Sequence, residues 1–196
     1  MKLYSIYGQV LFEENCETQR DLVEKSVQQK INLSRANLRK FDLSGANLKG
    51  ARLSGCHLWG AILDNTNLES ADLTEADCRL TQCHAANLSL EDCRDSDFSG
   101  AKFDQALFQE TDFSGAIFSH PSFWAQKIDQ ISSLDRAIYN HLGEEEWDLS
   151  LLLPKISAAI NQSDANEINK IDHQIRKLRK FSFKNGGFKT NFFSRR

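Results

Sequence analysis

The sequence predicts a repeat fold, preceded by a short capping segment and followed by a helical unit. Three observations carry this. In "LSGANLKGARLSGCHLWGAIL" a leucine stands at every fifth position, from Leu43 through Leu48, Leu53 and Leu58 to Leu63. An α-helix repeats its buried face at about 3.6 residues and a strand at about 2, so a period of five requires a different way of burying leucines. The period also keeps its register from Leu33 to Phe123, over 19 positions, and other periods take over on either side.

Residues 1–30 read as an N-terminal cap. "KLYSIYGQVLF" alternates like a short hairpin with Gly8 at its turn, and "TQRDLVEKSVQQK" reads as an amphipathic helix leading into the first repeat. A repeat array has an open edge at each end, and an uncovered edge invites association, so a cap is expected there.

Residues 31–123 form the repeat itself. Its large positions run through leucine to Leu73, then Cys78, Cys83, Leu88 and Cys93, then phenylalanine from Phe98 to Phe123. Two residues before most of them stands a small side chain, such as Ala36, Ala46, Ala51, Cys56, Ala61, Thr66, Ala71, Ala76, Thr81, Ala86, Ser96, Ala101, Ala106, Thr111 and Ala116. One large and one small residue are thus buried per step, the small one expected to let the backbone turn a corner closely against the large, and Asn or Asp before the large residue is a turn former able to bond nearby amides. Glu91 breaks the pattern by occupying a small inward position. Two readings stand open: a bulged corner that lets the carboxylate reach water, or a buried carboxyl with a raised pKa in the room left by Cys78, Cys83 and Cys93. Either makes this the least regular coil.

The phrases "ANLRK", "FDLSG", "ANLKG", "ADLTE", "SDFSG" and "TDFSG" resemble the pentapeptide-repeat family, whose motif is a small residue, Asn or Asp, Leu or Phe, Ser or Thr, then any residue. The resemblance implies a mainly β fold, a right-handed quadrilateral β-helix with one repeat per side. It would hold about 4.75 coils stacked at roughly 4.8 Å, and helices would lie only outside it.

After Phe123 the period changes. Ile128, Ile131, Leu134, Ile138 and Leu142 follow helical spacing, "WDLSLLLPKISAAI" reads as a short helix with Pro154 near its first turn, and Asp164 with Glu167 forms a capping box for a helix through Leu178. Residues 124–184 are therefore expected to be helical, with 185–196 a basic, mobile tail.

Chemistry is mostly excluded. No apolar run approaches the roughly 20 residues of a membrane span, and Glu13, Glu14 and Glu17 interrupt the start where a signal peptide needs a longer apolar stretch. A cytoplasmic location is expected, with no membrane contact. Five cysteines without close pairs fit reduced thiols rather than disulfides or zinc. No catalytic constellation, metal motif or phosphate loop appears, so the chain is expected to be neither an enzyme nor a cofactor or metal protein.

What remains is charge. Residues 64–113 hold 12 acids and 3 bases, although the whole chain carries only −3. Residues 20 apart stack on one face of successive coils. Asp72, Asp92 and Asp112 therefore form one column, Glu75 and Asp95 another, and Asp77 with Asp97 a third around the same corner, opposed by Arg79 and Arg94. Glu75 and Asp95 lie away from the Asn/Asp turn-forming position. Such a ridge can imitate a duplex phosphate backbone. The expected partner is a basic, DNA-handling protein that the chain inhibits or modulates. Duplex mimicry toward gyrase or topoisomerase IV by the quinolone-resistance group is what the resemblance implies, and a phage or mobile-element inhibitor of nucleases would use the same physics. The chain departs from that group in lacking an inserted loop and in its C-terminal region. The alternative is a structural adaptor, binding a protein through exposed apolar residues such as Trp59 and Leu80, with Ile62, Leu90 and Leu107, and through its C-terminal helices. A third surface is the tail, where Arg176, Lys177, Arg179 and Lys180 precede phenylalanines and suit nucleic acid or an acidic surface. A monomer or homodimer is expected.

Overall fold

The computed structural model describes residues 1–118, 131–133, 136–139 and 182–183. Two antiparallel strands open the chain, β1 (Lys2–Tyr4) and β2 (Val10–Glu13), followed by helix α1 (Gln19–Gln28). The Thr18 hydroxyl oxygen accepts from the Asp21 amide at 3.0 Å and caps α1. Leu3, Leu22 and Val23 are buried against the repeat. The hairpin pairs with the first coil directly: Ile6 N donates to Arg35 O and Asn37 N to Tyr4 O, both at 2.8 Å. On the opposite side Glu24 Oε1 accepts from the Asn47 amide at 2.6 Å, so both elements cover backbone groups that a bare edge would expose.

From residue 32 the backbone climbs a square rod. Parallel bridges join residues 20 apart, Asn37 to His57 to Asp77 to Asp97 on one side and Arg52 to Asp72 to Asp92 to Asp112 on the next, with equivalent series on the other two sides. Each side contributes one central residue to the axis. Leu58 and Leu68 are fully buried and Leu63 is 1% exposed. In the upper coils phenylalanine replaces leucine, and the rings contact along and across the axis: Phe98 and Phe118 stack with centroids 5.6 Å apart, while Phe103 meets Phe108 edge-on at 5.3 Å.

The corners are made differently from what the small residues imply. The residue two after each central one takes a left-handed conformation, from Arg35 (φ 59°) through Gly45, Glu75 (φ 58°), Leu80 and Asp95 (φ 59°) to Gly115. The small residue follows the corner and is buried because its amide closes the turn onto the central carbonyl, as Ala46 does to Leu43 at 2.9 Å. Asn and Asp act one step earlier. Asp42, Asp72, Asp77, Asn87, Asp97 and Asp112 each accept from the amide two residues on, across the central side chain.

The rod continues past Phe118, and here the expected helix is corrected. β6 (Ile131–Ser133) pairs in parallel with β4 (Thr111–Asp112), and β7 (Ile138–Tyr139) with β5 (Ile117–Phe118), which itself pairs with β3 (Asp97–Phe98). β8 (Ser182–Phe183) then pairs in parallel with β7. The coil length becomes 21, because Ile131 faces Thr111 but Ser133 faces Asp112. One inserted residue ends the strict period of five and leaves Ile131 and Ile138 at a spacing that a helix would also give. Ile131 is buried above Thr111 and Ala137 is fully buried above Ala116. The predicted helices around Pro154 and after Asp164, the last repeat at Phe123 and the tail lie outside the described residues.

A candidate interaction surface on one corner

Four sides and a 20-residue coil bring the acidic residues together as the arithmetic requires. Asp72, Asp92 and Asp112 stand on consecutive strands of one side, Asp77 and Asp97 on the next, and Glu75 and Asp95 occupy the corner between them. The two corner residues are exposed and the other five half-buried. Glu75 and Asp95 thus do sit at a turn, in the left-handed position itself, contrary to the expectation that they avoid one. Neither makes a side-chain hydrogen bond within the described residues, whereas Asp72 and Asp112 accept from Thr74 Oγ1 (2.7 Å) and Ser114 Oγ (2.6 Å).

Arg79 and Arg94 do more than stand nearby. Arg79 Nε and Nη2 donate to the two carboxylate oxygens of Asp77 at 2.7 and 2.9 Å, and Arg94 does the same for Asp92 at 2.8 and 2.6 Å. Arg79 Nε also lies 3.9 Å from Asp97. These bidentate contacts hold the Asp77 and Asp92 carboxyls below the usual carboxylate range, the hydrogen bonds to the guanidinium being the largest cause. Asp92, with Asp112 and Asp95 beyond it, raises Arg94 in turn. Seven carboxylates against two guanidiniums leave a formal −5 on this corner.

A feature that the acidic count missed lies directly below. On the same columns Arg52 underlies Asp72, and Arg35 stands two coils beneath Glu75. Arg39 Nη2 lies 2.7 Å from His57 Nδ1, and His57 underlies Asp77. Burial first, then the Arg39 charge, keeps the His57 ring below its ordinary value. The corner therefore changes sign along the rod, which the same step of 20 applied to the bases would have revealed.

The alternative surface is less open than expected. Leu80, Leu90 and Leu107 are exposed, but Leu90 and Leu107 lie on other parts of the circumference from Leu80. Trp59 and Leu80 stand at one corner on successive coils, where Gly60 N donates to Arg79 O. Trp59 and Ile62 are only half-buried, and Lys40 Nζ sits 5.0 Å above the Trp59 ring. Arg176, Lys177, Arg179 and Lys180 lie outside the described residues.

Inside the rod Cys56, Cys78, Cys83 and Cys93 are buried, and burial pushes their thiols up, Cys83 to about 12. Glu91 is also inside, 2% exposed, and neither carboxylate oxygen has a hydrogen-bond partner of normal geometry. The bulged reading of this residue is therefore corrected, because the strand ladder on both sides of it is kept. Among the described residues no group of three His, Cys, Asp or Glu is arranged to hold a metal ion. No helix there is long and apolar enough to cross a membrane.

Residues 31–68, 51–89 and 92–123 match the family model described as "Pentapeptide repeats (8 copies)". Proteins of that family fold as right-handed β-helices. No curated protein matches the chain significantly. Among solved structures, a pentapeptide repeat protein from Nostoc Pcc 7120 is 24% identical, with 54% of this chain and 84% of that one covered and a TM-score of 0.32. One from the Arabidopsis thaliana thylakoid lumen is 20% identical over 63% of this chain and 88% of that one, at 0.31. QnrB1, a plasmid-mediated fluoroquinolone resistance protein, is 18% identical over 62% and 83%, at 0.19.

Proposed function

Because residues 31–123 belong to the pentapeptide-repeat family, we propose that this chain is a non-enzymatic binding protein whose acidic corner engages a basic, DNA-handling protein in place of duplex DNA. The observation that carries the reading is the stacked set Asp72, Asp92, Asp112 beside Asp77 and Asp97, with Glu75 and Asp95 projecting between them. Coils stacked at roughly 4.8 Å repeat these charges along a straight, rigid edge, and duplex DNA likewise presents closely and regularly spaced charge. A rod whose side chains are fixed by a filled axis presents that charge without the entropy cost of ordering a loop. Topoisomerases and nucleases, which hold duplex DNA in basic clefts, are the partner class that this chemistry fits.

The test uses the full chain, with purified DNA gyrase, topoisomerase IV and a duplex nuclease as probes. Binding is expected to compete with duplex DNA and to fall several-fold between about 50 and 200 mM salt, as exposed charges are screened over about 8 to 10 Å. Replacing Glu75 by Gln and Asp95 by Asn should weaken it markedly while leaving the fold intact, since neither side chain is hydrogen-bonded and Asn suits a left-handed corner well. Binding that is indifferent to salt and survives both substitutions would rule the corner out. If Trp59→Ala then abolished it, docking at the Trp59 and Leu80 corner would take its place.

A further inference from the structure

The corner behind Asp92 is built unlike the others. The turn hydrogen bond from each small inward residue to the central carbonyl three residues before it closes every corner from Ala36 to Ala116 except at Glu91, whose amide makes no such bond to Leu88 O. The next amide is affected too: Asp92 N reaches Ala71 O at 3.2 Å, whereas the equivalent bonds of Asp72, Asn87 and Leu107 are 2.9 Å. Above and below Glu91 in its column stand Thr111 and Ala71, and Ala51 lies below those. The buried hydroxyls at such positions are satisfied, Thr66 Oγ1 by Leu43 O at 2.8 Å and Thr111 Oγ1 by Leu88 O at 2.6 Å, but the Glu91 carboxyl is not.

We propose that Glu91 is a proton-controlled latch on this corner: it stays inside the rod as a neutral acid, and on losing its proton it turns out to water by opening the Leu90 corner. The space for the neutral form comes from Cys78, Cys83 and Cys93, each smaller than the leucine or phenylalanine that fills the axis elsewhere. Every titratable group that bears on it disfavours the anion or is too weak to hold it. Asp92 on its own coil and Asp72 below repel it, and the thiols of Cys56, Cys78, Cys83 and Cys93 are themselves buried, with only Cys93 a weak donor toward it. Burial is the dominant cause and raises the carboxyl well above its ordinary value. The exit is at hand, because Leu90 already holds φ 58° and is exposed, and the turn bond that would resist the motion is missing. The outward turn carries Asp92 with it, yet the latch stands whether or not the acidic corner binds a partner.

The sign follows from linkage. A carboxyl whose folded pKa lies above its unfolded one keeps more protons when folded, so its stabilisation is complete below the unfolded value and is lost as pH rises through the folded one. Asp77 and Asp92, depressed by their arginines, act in the acid range instead, and His57, held low, acts with the opposite sign in both proteins compared. The experiment is urea unfolding of the full chain from about pH 5 to 8, for the native protein and for Glu91→Gln. Glu91→Ala matches Ala71 in the same column and serves if the amide is not tolerated. Relative to either variant, the native unfolding constant is expected to rise with pH, by up to about tenfold per pH unit. The protection of the Asp92 and Cys93 amides against hydrogen exchange, once the intrinsic rise of exchange with pH is divided out, should fall over the same range in the native chain alone. Parallel stability profiles in native and variant proteins would overturn the latch. So would a divergence in stability without loss of protection at Asp92 and Cys93, because the corner would then not be what opens.

Discussion

At the scale of single residues, the axial leucines and the corner glycines are under different constraints. Leu58, Leu63 and Leu68 each sit in a fully packed axis, so truncation to Ala is expected to cost about 2 to 5 kcal/mol by chemical denaturation. A loss below about 0.5 kcal/mol at all three would contradict the inward register. Glycines at corners separate backbone strain from crowding. A Cβ on Gly50 (φ 67°) meets nothing within 4 Å, whereas one on Gly100 (φ 73°) lies 2.5 Å from Leu80 Cδ2 and one on Gly115 collides with Asp95 Oδ1. Gly50→Ala should therefore cost about 1 to 2 kcal/mol, the left-handed penalty alone. Gly115→Ala should cost more and displace the Asp95 carboxylate, visible in its chemical shift. Equal losses at the two positions would mean that the corner side chains move aside freely.

At the scale of elements, much was legible and the failures have identifiable causes. The columns follow from counting in twenties, because every coil from Asn37 to Asp112 holds the same length, and the burial of Cys78, Cys83 and Cys93 follows from their place in the large-residue series. The corner position was also signalled, since Gly45, Gly50, Gly55, Gly60, Gly100 and Gly115 all stand two residues after the central one, but the small buried residue next to it drew the assignment. The Arg79 and Arg94 pairs were missed for want of noting that residues two apart on a short side share its outer face. The helix expected through Ile131 and Ile138 failed because an inserted residue widens the six-residue separation of Thr111 and Ile117 below them to seven, which period alone cannot distinguish from a helix. Glu91 was undecidable from pattern, as burial and bulging place the same letter at the same position. Two element-scale outcomes follow. Thr18→Ala should weaken the α1 cap by about 1 kcal/mol. Ending the chain at Phe123 removes β6, β7 and β8 from above β4 and β5 and bares their backbone groups, so sedimentation should show association beyond that of the full chain. A truncated chain with unchanged sedimentation behaviour would mean that this edge is protected in another way.

At the scale of the whole molecule, the charge pattern sets a response to salt. The acidic corner repels itself across successive coils, with Asp77 and Asp92 held in bidentate pairs and Asp97 sharing Arg79 at 3.9 Å. Added salt should raise the melting temperature at neutral pH, and the Gln and Asn replacements of Glu75 and Asp95 should flatten that rise. A melting temperature independent of salt in the native chain would mean that the arginines below and beside the corner already balance it.

The coil length also acts as a gear. Because four sides of five residues complete one turn, removing a whole coil of 20 shortens the rod and leaves every column aligned, while removing one repeat of five rotates everything above it by about a quarter turn relative to the N-terminal hairpin. The axis and the ladder would survive either change, yet after the second the acidic corner would point in a new direction. The compass bearing of that corner, measured from the cap, is thus written in the number of residues between them, and chain length in this fold encodes orientation as well as reach.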